Sequence, residues 1–174
     1  MQPVLSDAPA GSGFGSGASS STNLAERHAE LLQAARALVA DERDAIANMA
    51  NLAALIWQYM PALNWAGFYR MIGGELVLGP FIGKPACVRI ALDQGVCGAA
   101  ASSGRTQCVA DVHAFPGHIA CDAQSRSELV VPVFSADGRV LAVLDLDSPE
   151  LARFSPEDVT ATERLVCATA AAIV

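Results

Sequence analysis

Four of the five cysteines in this chain of 174 residues (Cys87, Cys97, Cys108 and Cys121) fall between residues 87 and 121. A cysteine acts as a nucleophile or redox centre through its thiolate, so local charge decides which of them can react. Cys121 ends the loop Phe115-Pro116-Gly117-His118-Ile119-Ala120-Cys121, three residues after His118 and just before a predicted strand. A loop position beside an imidazole favours a nucleophile, whereas Asp122 opposes the thiolate unless it points away; packing as a small hydrophobe is the plain alternative. Cys87 stands between the only lysine, Lys84, and Arg89, two cations that stabilise a thiolate. Cys97, in Gly95-Val96-Cys97-Gly98, lies near a predicted helix start, where amide dipoles also favour the thiolate. Tight packing between glycines explains it equally well. Cys108 reads as a buried strand residue, and Cys167 as a structural residue on an apolar helix face. The gaps between successive mid-chain cysteines are 10, 11 and 13 residues, which makes no zinc knuckle, so no metal is expected.

The acids form a second constellation. In Leu144-Asp145-Leu146-Asp147 a strand puts both carboxylates on one face and both leucines on the other. Neighbouring acids at the end of an apolar strand repel, so one of them keeps its proton to higher pH. Glu128 opens the adjacent predicted strand and can join the pair. Three acids beside an apolar wall would grip an amino group or protonate a departing oxygen. A solvated strand end, with Asp147 in an Asx turn before Ser148-Pro149, is the competing reading. Trp65 and Tyr69 share one strand face with Phe68 on the other, and two such rings can wall a pocket for a methyl or thioether group or simply fill a core. Trp57 and Tyr59 read as packing. No phosphate-cradling glycine loop and no Gly-x-Ser-x-Gly elbow is present.

The surrounding pattern predicts the elements that carry these residues. Helical spacing runs from Asn23 towards Tyr59, with a second helix starting near Asp41 and carrying Ile46, Met49, Leu52, Leu55 and Ile56. Strands are predicted at 65–71 and 75–78, joined at Gly73-Gly74, then at 88–92, 107–109, 129–134 and 139–146. A helix over 95–103 ends at Gly104, and a last helix starts at Ser155-Pro156-Glu157-Asp158. The class is therefore α+β. Residues 1–22, rich in Gly, Ser, Ala and Pro, read as a flexible tail without a secretory signal, and residues 23–174 as one domain. Apolar residues make up 52 % of the chain, but no run reaches the roughly 18 a membrane helix needs. A net charge of −7 argues against nucleic acid or anionic membrane as partners, and the default address is cytoplasmic, with reduced thiols.

Taken in order, Asn64-Trp65-Ala66-Gly67-Phe68-Tyr69, Gly83-Lys84-Pro85-Ala86-Cys87-Val88-Arg89, Gly95-Val96-Cys97-Gly98, the loop from Phe115 to Asp122, Ser125-Arg126-Ser127-Glu128 and Leu144 to Asp147 resemble the GAF-domain free methionine-(R)-sulfoxide reductases. The resemblance covers about residue 23 to the C-terminus. It implies a GAF fold, a six-stranded antiparallel sheet with N- and C-terminal helices on one face and a pocket closed by mid-chain loops. It further implies that Cys121 attacks the sulfoxide of free methionine sulfoxide, that Cys87 resolves the sulfenic acid as a disulfide, and that Cys97 is the third cysteine of the set. Glu128, Asp145 and Asp147 would hold the ammonium group and the sulfoxide oxygen, with Trp65 and Tyr69 around the methyl end. Thioredoxin would recycle the enzyme, without cofactor or metal. GAF domains pair through terminal helices, and the apolar face around Ile173 and Val174 admits a homodimer. The alternative is a stand-alone GAF module that senses a small molecule or redox state.

Overall fold

A computed structural model describes residues 20–117 and 123–173. The described elements are α1 (Ser20–Val39), α2 (Ala45–Tyr59), β1 (Trp65–Ile72), β2 (Glu75–Gly83), β3 (Arg89–Ile90), α3 (Gly95–Ser103), β4 (Gln107–Val109), β5 (Ser127–Phe134), β6 (Val140–Ser148) and α4 (Pro156–Ile173), with a 3-10 turn at Val112–Ala114. The strands form one six-stranded sheet in the order β3-β2-β1-β6-β5-β4, antiparallel at each pairing.

Local chemistry sets the ends of these elements. The Asp44 side chain accepts from the Ala47 amide at 2.8 Å and so caps α2. Before α4 the exchange is reciprocal, with the Asp158 amide donating to Ser155 Oγ (3.2 Å) and the Ser155 amide to Asp158 Oδ2 (2.9 Å). That is a capping box closed by an aspartate. Gly104, at φ 62°, ends α3 in the left-handed region.

The alternation of each strand sorts its residues between two cores. Ala66, Phe68, Leu129, Val131, Leu144 and Leu146 face α1, α2 and α4. Trp65, Tyr69, Val130 and Val143 face the other side, where α3 covers them with Val96, Cys97 and Ala100. Helices α1, α2 and α4 thus occupy one side of the sheet as expected, while α3 builds a smaller core on the other. The chemistry-bearing residues belong to the α3 side.

Several local expectations change. β2 runs on to Gly83 rather than stopping at Leu78, because Gly79 and Pro80 together stand opposite Phe68, between the pairs Gly67↔Phe81 and Tyr69↔Leu78. Such a bulge admits a proline that cannot donate to the ladder. β3 shrinks to two residues. Cys108 is exposed rather than buried, since β4 is an edge strand paired only with β5. Cys167 is also exposed, because α4 turns Leu165, Val166 and Thr169 inward instead. Trp57 is 37 % exposed and Ile46 44 %, so neither is a core residue. Ile173 is 1 % exposed within the helix-side core and offers no apolar outer face for pairing; Val174 lies outside the described residues.

Candidate functional site

The strand register gathers the acids. Asp147 on β6 stands opposite Trp65 on β1 and opposite Glu128 on β5, and Asp145 stands between Gly67 and Val130. Since these side chains leave the sheet on the α3 side, they converge beneath the first turn of α3. Cys97 enters there: its Sγ lies 3.9 Å from Glu128 Oε1. One ligand atom each from Cys97, Glu128 and Asp145 lies within 4.8 Å of the others.

Aromatic rings form one wall. Trp65 stacks on Tyr69 (centroids 5.8 Å apart) and on Phe81 (5.3 Å apart). Gly67 makes this possible, because a Cβ there would lie 2.7 Å from the Trp65 ring. The Trp65 indole donates to the Lys84 carbonyl at 3.1 Å, fastening the ring to the segment that leads to Cys87. Pro85, Ala86 and Ile90 complete the apolar rim. Among the described residues, a small cavity of about 40 Å³ lies between the rings, the acids and α3. No lysine, arginine or histidine is among the described residues that line it.

Burial and neighbouring acids control protonation. Burial pushes the Glu128 carboxyl well above the usual range, and the charges of Asp145 and Asp147 push it further. Asp145 is raised to about 7, first by burial, with hydrogen bonds involving Cys97 and Glu128 pulling partway back. Its Oδ1 has no hydrogen-bond partner among the described residues. Burial raises the Cys97 thiol strongly, and the carboxylates of Asp145 and Glu128 add to the effect. Desolvation and acidic neighbours therefore overcome the helix-start amides that favour a thiolate, and Cys97 is a neutral thiol donating to Glu128. The Tyr69 hydroxyl is likewise raised, by burial and then by Asp145.

Cys87 is disulfide-bonded, whereas Cys97, Cys108 and Cys167 are free thiols. Arg89, expected to support a Cys87 thiolate, is salt-bridged to Glu75 on the paired strand. Cys121 and His118 lie outside the described residues. The structure thus brings together Trp65, Tyr69, Cys97, Glu128, Asp145 and Asp147 around one cavity, with Ala86, the neighbour of Cys87, on its rim. Sequence reasoning did not pick out Gly67, Phe81 or the Trp65–Lys84 bond. The pairing Gly67↔Phe81 depends on the bulge immediately beside it, and no local motif announces it.

A curled antiparallel sheet that carries its pocket under a short helix is the architecture of a GAF domain, and the GAF-domain family model matches residues 19–174. A protein of Zymomonas mobilis is 55 % identical over 139 residues, covering 80 % of this chain and 86 % of its own length. The free methionine-R-sulfoxide reductase of Escherichia coli is 45 % identical over 144 residues, 83 % of this chain and 87 % of that protein. The structure of free methionine-R-sulfoxide reductase from Neisseria meningitidis in complex with its substrate superposes with a TM-score of 0.83 at 43 % identity, covering 90 % of this chain and 92 % of that one. The chain belongs to the GAF-domain family, in the branch that holds the free methionine-R-sulfoxide reductases. Among the described residues no helix is long and apolar enough to cross a membrane.

Proposed function

We propose that this protein reduces free L-methionine-(R)-sulfoxide to methionine. The observation that carries the reading is a set of acids facing the Trp65–Tyr69 wall of one small cavity: Glu128 and Asp145, both buried and raised towards their protonated forms, with Asp147 beside them. The similarity to reductases named for this substrate supports it.

The acids serve two ends of the substrate. Carboxylates attract the ammonium group, and a carboxyl that keeps its proton near neutral pH can donate it to the sulfoxide oxygen. The aromatic wall packs the methyl end. The Val96 amide in the first turn of α3, at the edge of the cavity, suits the substrate carboxylate, which the acids would otherwise repel. The small size of the cavity favours a free amino acid over a peptide-bound one.

Cys121 is the nucleophile. Its thiolate attacks the sulfur made electrophilic by protonation of the oxygen. The substrate oxygen then passes to Cys121 Sγ as the new sulfur–sulfur bond and the old sulfur–oxygen bond break, so methionine leaves with its sulfur reduced and Cys121 is oxidised to a sulfenic acid. The Cys87 thiol condenses with that sulfenic acid, releasing water and forming a disulfide. The disulfide-bonded state of Cys87, with three other cysteines free, supports this assignment. Cys97 is the buried donor that orients Glu128. Thioredoxin returns the disulfide to two thiols by exchange, which places the protein in the reducing cytoplasm. The catalytic domain begins with α1 at Ser20, three residues ahead of the boundary expected at residue 23.

Single turnover of the fully reduced protein tests the cysteine roles. The wild type should yield one methionine per protein and a Cys87–Cys121 disulfide by mass spectrometry. Cys87→Ser should also yield one methionine, with a sulfenic acid trapped at Cys121. Methionine formation by Cys121→Ser would overturn the assignment.

A further inference from the structure

The same buried cluster has a second chemical capacity. Cys97 offers one sulfur, and Glu128 and Asp145 one carboxylate oxygen each, all within 4.8 Å of one another. The three come from α3, β5 and β6, so rigid packed elements hold the set rather than a loop. Asp145 is 6 % exposed, and its Oδ1 lacks a hydrogen-bond partner among the described residues. An orphaned, buried carboxylate oxygen within such a set is an unfilled ligand position.

We propose that Cys97, Glu128 and Asp145 form a binding site for a zinc-like divalent cation, with the fourth position open to the cavity. Zinc takes sulfur at about 2.3 Å and oxygen at about 2.0–2.2 Å, so the donors of a tetrahedral site stand about 3.4–3.6 Å apart. The Cys97–Glu128 separation of 3.9 Å is already close to that value. Side-chain rotation alone has to bring Asp145 in. One thiolate with two carboxylates suits zinc better than calcium, which takes 6–8 oxygens, or magnesium, which demands near-octahedral oxygen geometry. The charge balance agrees, since no cationic side chain is among the described residues of the cavity wall. Binding would displace the Cys97 proton and any carboxyl proton into solvent. A cation held there occupies the space between the carboxylates and so closes the pocket to other ligands.

The site shares Glu128 and Asp145 with the proposed substrate pocket, but it needs no turnover and is tested by binding alone. The full-length protein in its Cys87-disulfide form is titrated with zinc chloride by calorimetry, which leaves Cys97, Cys108 and Cys167 as thiols. One equivalent should bind saturably, and the Cys108→Ser/Cys167→Ser double variant should bind equally well. Asp145→Asn and Glu128→Gln, which keep shape and remove charge, should each weaken binding by about tenfold or more. Cobalt(II) in place of zinc should give a thiolate-to-metal charge-transfer band that disappears in Cys97→Ser. That spectroscopic arm also decides the matter if a carboxylate variant fails to fold. Absence of saturable binding, full binding by Asp145→Asn, or a cobalt–thiolate band that survives Cys97→Ser would each overturn the proposal.

Discussion

Sγ of Cys97 lies 3.9 Å from Oε1 of Glu128, with the thiol at the first turn of α3 and the carboxyl on β5, both buried. The contact joins the helix that roofs the cavity to the sheet that floors it. Since burial and neighbouring carboxylates hold the thiol in its neutral form, the sulfur is a donor here and not a nucleophile. Cys97→Ser keeps a donor, so its stability should stay near the wild-type value. Cys97→Ala leaves a buried carboxyl with one partner fewer and should cost about 1–3 kcal/mol in urea denaturation. Equal stability of the two variants would contradict the donor role.

Asp145 links the cavity to pH. Its folded value, raised to about 7 by burial, lies above the ordinary aspartate value near 3.9. The folded state therefore binds the proton more tightly than the unfolded state. The stabilisation it gives is complete below about pH 4 and is lost as pH rises through 7. Unfolding free energy measured from pH 5 to pH 8 should accordingly fall more steeply for the wild type than for Asp145→Asn. Identical slopes would show that Asp145 ionises normally. Turnover should decline over the same rise in pH, as the proton available for the sulfoxide oxygen is lost.

Gly67 is the close-approach point of the aromatic wall. Gly67→Ala drives a methyl group against Phe81 and the Trp65 ring. Overpacking of this kind costs about 1–3 kcal/mol, and the displaced wall should raise KM for a methyl-bearing substrate more than it lowers kcat. Steady-state kinetics beside thermal melting separate the two effects.

The opposite side of the sheet supplies a control. Asp158 accepts from Arg153 Nη1 at 2.9 Å, from the Ser155 amide at 2.9 Å, and pairs with His28 Nε2 at 3.0 Å, joining α1, α4 and the chain before it. Asp158→Asn breaks a buried ion pair and should destabilise by about 3–5 kcal/mol. Turnover at low temperature should stay near wild type, because none of these groups lines the cavity. A selective loss of kcat with intact stability would contradict the separation of the two sides.

Period-two alternation made much of this legible in the sequence. Leu144 to Asp147 announced that two acids leave one face, and Trp65, Phe68 and Tyr69 divided between the two cores as their spacing required. The contact between Cys97 and Glu128 was not legible, because it depends on how α3 seats on the sheet. Nor was the neutral state of that thiol, since helix-start amides are local whereas burial and the facing acids are tertiary. Cys108 and Cys167 were misplaced for similar reasons. An edge position and the rotation of α4 decide their exposure, and apolar neighbours in sequence report neither.

The most direct measurement is thioredoxin-coupled turnover on free methionine sulfoxide, with the R and S epimers assayed separately and a peptide-bound sulfoxide alongside. Catalytic turnover confined to the free R epimer is the predicted result. An inert protein, or one that reduces the peptide-bound sulfoxide as readily as the free one, would contradict it and leave a GAF pocket that binds without reducing or that is not closed around a free amino acid.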